Sequence, residues 1–264
     1  MLDAASAAVL GVVQGLTEFL PVSSSGHLVL GQQLLGLTEP ELLFDVAVHV
    51  GTLAAVVVVF RADLWSMVKG LWARGPQGAR GRRLLWLVAL GTLPAAAAGV
   101  LLKSLFESLF ASPAAVGAAL LFTGCLLMAT RLAPSGDRGL AGTGPGRALG
   151  VGLAQALAIT PGVSRSGATI AAGLFLGLER ETAARLSFVL SVPAILGALV
   201  LQLAHLDPAQ APPLAPLLVG AATAAASGLA ALKLLLRLVR SGRLHWFAWY
   251  CWALGLFALV WWAA

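Results

Sequence analysis

QGLTEFLPVSSSGH, Gln14–His27, and QALAITPGVSRSGAT, Gln155–Thr169, decide how this chain folds. A shift of 141 positions lays the first stretch on the second without a gap. Gly11 meets Gly152, Gln14 meets Gln155, Leu16 meets Leu157, Ser23 meets Ser164, Ser25 meets Ser166 and Gly26 meets Gly167. Gly36 and Leu37 then meet Gly177 and Leu178. Shared Gly, Leu and Ser bias accounts for part of this. A Ser-x-Ser-Gly tip at one fixed distance from a shared Gln points to an internal duplication.

The surroundings of the two stretches are apolar. Of 264 residues, 59% are hydrophobic and 11% charged, with a mean hydropathy of +0.91. Soluble domains carry roughly 25% charged residues. Several apolar runs approach or exceed 18 residues, the length that crosses a bilayer. The chain therefore reads as an all-α polytopic membrane protein. A net charge of +6 does not indicate nucleic acid, because the basic residues sit in short loops between apolar runs. Cys125 and Cys251 lie inside apolar runs and read as small packing residues, with no disulfide or metal framework. No basic segment precedes the first apolar run, so no cleaved signal peptide is expected.

The punctuation of the runs gives the order of elements. Residues 4–20 end at Pro21, and Ser23, Ser24 and Ser25 are good caps for a second short helix over about 25–36. Each piece is too short to span alone, so a re-entrant pair is expected. Spans are expected at about 44–60, 84–102 and 113–130, with a basic loop at 61–83. Residues 131–146 are rich in Gly and Pro and mark the link between halves, about 1–130 and 147–264 of one integral domain. A second re-entrant pair follows at about 147–160 and 165–178. Three more spans follow at about 184–203, 214–236 and 245–262, with Pro193 a candidate kink.

Charge then assigns sides. The segments 61–83, 131–147, 179–185 and 233–243 hold fifteen of the seventeen Lys and Arg, so they are placed in the cytoplasm. Residues 1–43, 103–112 and 204–213 fall outside. Each half has one re-entrant pair and three spans. Three is odd, so the halves run in opposite orientation and their polar tips can meet near the midplane. That is an inverted-topology repeat.

Arg165 is the one basic residue this scheme places at membrane depth, where a charge costs roughly 2.5–3.5 kcal/mol on insertion scales. It needs an anionic partner, either Glu18 or a ligand. Ser164, Ser166 and Thr169 add hydroxyls, and the N–H groups that open the following helix suit phosphate. The second tip therefore reads as a phosphate cradle. The first tip offers chemistry. Glu18 is a candidate base or metal ligand. Ser23, Ser24 and Ser25 are candidate hydroxyls for attack or binding, and His27 a candidate proton donor or acceptor. Asp45 and His49, at i and i+4, share a helix face and either orient the site or pair locally. Trp246, Trp249, Trp252, Trp261 and Trp262 read as interface anchors, His205 and His245 as interfacial, and Glu39, Glu41 and Glu107 as loop residues.

The two motifs, QGLTEFLPVSSSGH and PGVSRSGAT, resemble those of the undecaprenyl-diphosphate phosphatase family, also called bacitracin-resistance proteins. The resemblance covers essentially the whole chain in length, span order and duplication. It implies a bacterial inner-membrane enzyme that hydrolyses undecaprenyl diphosphate to undecaprenyl phosphate, recycling a lipid carrier for the cell wall. It also implies a divalent cation, Mg2+ or Ca2+. The family's acid-or-Gln, three residues, Glu motif falls on Gln14 and Glu18, its serine and histidine on Ser24 and His27. Its arginine and flanking hydroxyls fall on Ser164, Arg165, Ser166 and Thr169. Glu18, Ser24, His27 and Arg165 are thereby expected to be catalytic. Gln14, Ser23, Ser25, Ser164, Ser166 and Thr169 are expected to bind substrate, and Gln14 and Glu18 to hold metal. Members with Glu at the first position can offer a metal two carboxylates, whereas Gln14 leaves this chain with one. The expected partners are the polyprenyl diphosphate and bilayer lipids, with room for a homodimer and no nucleic acid. Charge places the opening of the site on the outer, periplasmic face.

Two other classes fit parts of this pattern. Inverted repeats with broken helices are also a transporter signature, so a flippase for the phosphorylated carrier, alone or with hydrolysis, is the alternative. An intramembrane serine peptidase would use a Ser and a His but would have no need of Arg165.

Overall fold

The breaks in the apolar pattern become helix ends in a computed structural model that describes residues 2–36, 42–110, 112–203 and 213–263. Helix α1 runs Ala4–Phe19, capped by Asp3, whose carboxylate accepts from the Ser6 N–H at 2.7 Å. That bond holds the Asp3 carboxyl below the usual carboxylate range. Pro21 stops α1, and α2 runs Ser24–Leu34. The second pair repeats this plan as α8, Pro145–Leu157, and α9, Arg165–Phe175. Both pairs close on a left-handed glycine at the same aligned position, Gly36 with φ 71° and Gly177 with φ 78°. With 16, 11, 13 and 11 residues, none of these four reaches the ~20 that cross a bilayer.

The other helices are α3 (Leu42–Val59), α4 (Arg61–Gly70), α5 (Gly75–Leu101), α6 (Lys103–Phe110), α7 (Pro113–Ala129), α10 (Arg180–Leu203), α11 (Leu214–Arg240) and α12 (Phe247–Ala263). Among the described residues five helices, α5, α7, α10, α11 and α12, are long and apolar enough to span. The bent pair α3–α4, with a break of 78°, makes a sixth if counted as one. The chain is thus a multi-pass, all-helical membrane protein. Helix α10 continues through Pro193, and α5 through Pro94.

The expected basic loop at 61–83 is instead mostly helical. Helix α4 lies on the first turns of α5, where Gly70 and Gly81 let the two backbones touch. The Arg82 guanidinium then caps the end of α4 by donating to the carbonyls of Gly70 at 3.1 Å and Ala73 at 2.8 Å. Low hydropathy had hidden a helix held by backbone packing. Two further readings change. Cys125 is exposed on α7, whereas Cys251 is buried. Trp252 is no interface anchor, because it packs on Gly124 and donates to the Leu121 carbonyl at 3.2 Å. Glu39, Glu41 and His205 lie outside the described residues, as do the side chains of Glu107 and Trp262.

Packing follows one pattern in both halves. Helix α1 lies along α11, and α8 lies along α5. A Cβ on Gly11 would strike the Gly220 carbonyl, and one on Gly152 would strike the Gly91 carbonyl. Small residues allow such close crossings, which tie membrane helices by dispersion in the absence of a hydrophobic drive. Helix α3 packs on α11 and on α10, and α7 packs on α12. Phe188 of α10 joins Phe19 at 5.9 Å and Phe60 at 5.8 Å between ring centres, so the core lies directly behind the first tip. Residues 130–144 are pinned to the second pair by Glu179 N–H donating to the Arg138 carbonyl at 3.1 Å.

Candidate active site where the two tips meet

Glu18 lies near the end of α1, with its side chain buried. A carboxylate at that depth needs charge and hydrogen-bond partners. Arg165 Nη2 donates to its Oε1 at 2.7 Å. Ser24 Oγ donates to its Oε2 at 2.7 Å, and Gln14 Nε2 donates to the same oxygen at 3.1 Å. His49 Nε2 stands 4.0 Å from that oxygen. One carboxylate thus joins α1, the first residue of α2, a face of α3 and the first residue of α9. Glu18, one of the two partners weighed for Arg165, is in contact with it. The second guanidinium nitrogen, Nη1, is buried without a protein partner among the described residues.

The two turns differ in detail. Ser164 caps α9, its hydroxyl accepting from the Gly167 N–H at 3.1 Å and lying 3.2 Å from Ser166 Oγ. In the first tip Ser23 Oγ lies 3.4 Å from Ser25 Oγ, the aligned pair. Thr123 of α7 accepts from the Ser164 N–H at 3.2 Å and donates to the Gly162 carbonyl at 2.9 Å, which holds the second turn in place. Thr169 donates to the Arg165 carbonyl at 2.7 Å and lies 2.6 Å from Ser187 Oγ, so its hydroxyl is satisfied within the protein. His27 does not touch Glu18. Its Nδ1 contacts the Ser23 carbonyl at 2.8 Å and its Nε2 contacts Tyr250 Oη at 2.6 Å.

Gln14, Glu18, Ser24 and Arg165 therefore form one hydrogen-bonded cluster. Ser164, Ser166 and Thr169 shape the turn behind Arg165. The structure adds His49, whose Nδ1 contacts the Asp45 carbonyl at 2.6 Å, while Asp45 Oδ1 accepts from Gln32 at 2.7 Å. The i, i+4 spacing of Asp45 and His49 was the signal for this face. Tyr250 had no local signal, being 223 positions from His27.

Chemically, the cluster presents a hydroxyl already hydrogen-bonded to a carboxylate beside an arginine with donors to spare. That set suits attack on, or charge neutralisation of, a phosphoryl group. Among the described residues no three His, Cys, Asp or Glu gather as metal ligands. Among the described residues Gln14 Oε1 is buried without a partner, and with Glu18 it gives oxygen donors from two side chains. These fit Mg2+ or Ca2+ when phosphate oxygens and water complete the shell.

The profile of the family described as bacitracin resistance protein BacA matches residues 7–257. A protein of Desulfatibacillum aliphaticivorans named undecaprenyl-diphosphatase is 51% identical over 265 residues, covering 96% of both chains. One of the same name from Desulfosudis oleivorans is 50% identical over 258 residues, covering 94% of each. A protein of that name from Methanobrevibacter smithii is 42% identical over 271 residues, covering 98% of each.

Proposed function

The chain belongs to the bacitracin resistance protein BacA family, and from that premise we infer how its two tips act on a lipid diphosphate. It hydrolyses undecaprenyl diphosphate to undecaprenyl phosphate and phosphate, recycling the lipid carrier of cell-wall synthesis. The observation that carries the mechanism is the single carboxylate, Glu18, shared by Ser24 and Arg165.

The polyprenyl tail stays in the bilayer while the diphosphate enters between the tips. Arg165 binds the terminal phosphate through Nη1 and neutralises the charge that develops on its oxygens. Ser24 Oγ attacks the terminal phosphorus, and Glu18 Oε2, already its acceptor, takes the proton. The bond from phosphorus to the bridging oxygen breaks, and undecaprenyl phosphate leaves with that oxygen. Glu18 passes that proton to the departing phosphate oxygen; as carboxylate again it takes a proton from water, which attacks the phosphoserine, and it returns this proton to Ser24 Oγ as the phosphate leaves. Gln14 Oε1 and Glu18 would hold the divalent cation together with diphosphate oxygens. When bound it supplies further neutralisation of phosphate charge.

The halves form an inverted repeat in this reading. Support comes from the aligned glycine turns, from α1 lying on α11 as α8 lies on α5, and from the odd number of spans per half. The positive-inside charge pattern orients the first tip, and so the site, toward the outside of the cell membrane. The tips carry different side chains, Ser24 opposite Arg165 and His27 opposite Ala168, which suits hydrolysis better than symmetric transport.

The test is phosphate release from undecaprenyl diphosphate by the purified protein, with and without EDTA, and rapid-quench trapping of a phosphoserine. Hydrolysis without any phosphoserine at Ser24 would leave activated water as the nucleophile. Movement of labelled lipid between leaflets without phosphate release would overturn the enzymatic reading.

A further inference from the structure

Ser23 is the one non-glycine residue with positive φ among the described residues, at 68°. Such a backbone is strained for a residue with a side chain and persists only where its surroundings hold it. Ser23 immediately precedes Ser24, so its conformation sets the direction of the Ser24 hydroxyl toward Glu18.

The contacts that hold it run outward in a line. The Ser23 carbonyl can only accept, so His27 Nδ1, 2.8 Å away, carries the hydrogen. In the neutral ring Nε2 is then an acceptor, and the Tyr250 hydroxyl donates to it at 2.6 Å. The two rings also stack, with centres 5.7 Å apart and planes 13° from parallel. Tyr250 is the only tyrosine of the chain and stands half-exposed on a membrane-spanning helix. A phenol there has few other partners for its hydroxyl. Its neighbour Cys251 donates through Sγ to the Pro21 carbonyl at 3.4 Å, so α12 grips the first turn at two points. The aligned position in the second tip is Ala168, buried against Ala119 and Val163, so no such strut exists there.

We propose that Tyr250 is a positioning residue of the hydrolysis, acting through His27 to hold Ser23 in its left-handed conformation and Ser24 against Glu18. The inference rests on the phosphatase reading for its kinetic consequence, but its structural part stands apart from that. A residue of the second half thereby completes the nucleophile of the first.

The test uses Tyr250→Phe in the full-length protein, which removes the hydroxyl and keeps the ring. We expect kcat to fall by about tenfold or more, with KM within about twofold, as for small displacements of a reacting group. In a His27→Ala background the same change should cost less than about twofold, because the strut is already cut. Turnover within about twofold of wild type for Tyr250→Phe, or losses that multiply in the double variant, would overturn the proposal. A second measurement is independent of activity. In protein labelled with nitrogen-15 histidine, the ring signals absent from His27→Ala identify His27. They should show hydrogen on Nδ1 and none on Nε2, and the Nε2 signal should move in Tyr250→Phe. Hydrogen on Nε2 in the wild type, or an unmoved signal in the variant, would overturn the strut. Absence of phosphate release by the wild-type protein would instead reject the phosphatase reading, and the ring signals would still decide the strut.

Discussion

Arg165 Nη2 donates to Glu18 Oε1 at 2.7 Å across 147 positions of sequence, and this contact joins the two tips into one site. The pair is buried on both sides, so neither member is dispensable for charge balance. Among the described residues Arg165 Nη1 has no protein partner.

Arg165→Ala should lower kcat for phosphate release by about 10²–10³-fold, the usual cost of one transition-state charge contact. Arg165→Lys should not restore it, since a point charge cannot hold Glu18 and a phosphate oxygen together. Near-normal turnover in either variant would remove Arg165 from the phosphate site.

The same substitution leaves a buried carboxylate alone. Arg165→Ala should therefore destabilise the fold by about 3–5 kcal/mol, and adding Glu18→Gln should recover part of that loss. Thermal unfolding of the single and double variants in one detergent checks the order. Equal stability of the two would mean that Glu18 is well solvated without Arg165.

Gln14→Glu would add a second carboxylate four residues from Glu18 on the same helix face. It should lower the divalent-cation concentration needed for half-maximal activity by about tenfold, since ligand charge tunes such sites. Gln14→Leu should raise it. A cation titration of phosphate release reads both, and indifference of both variants to cation would place the ion elsewhere.

Gly11→Val and Gly152→Val force a side chain into the Gly220 and Gly91 carbonyls, so each should cost at least about 1–3 kcal/mol. Gly197→Ala on α10 meets no neighbouring atom within 4 Å and should change stability by less than about 1 kcal/mol. Detergent unfolding midpoints separate the two kinds of glycine.

For orientation, a cysteine at position 3 should react with an impermeant maleimide in intact spheroplasts. One at position 74 should react only after permeabilisation. Both substitutions belong in a chain with Cys125 and Cys251 replaced by alanine. The reverse pattern would turn the site toward the cytoplasm.

The membrane class and the breaks that make two short helix pairs were legible in the residues of Gln14–His27 and Gln155–Thr169 and their apolar surroundings. These are local properties. A run either has the length and polarity to cross lipid or it does not, and Pro21 and the Ser tips end helices through their own backbone chemistry. The helix α4 was not legible, because glycine packing on α5 and an arginine cap sustain it where hydropathy is low. Nor were the contacts of the site beyond the Glu18–Arg165 pair that membrane depth suggested. Which side chain meets Glu18, that His27 turns from it to Tyr250, and that His49 approaches instead, depend on how distant helices cross and where their side chains point. One-dimensional patterning carries no such direction, so only the tertiary structure decided it.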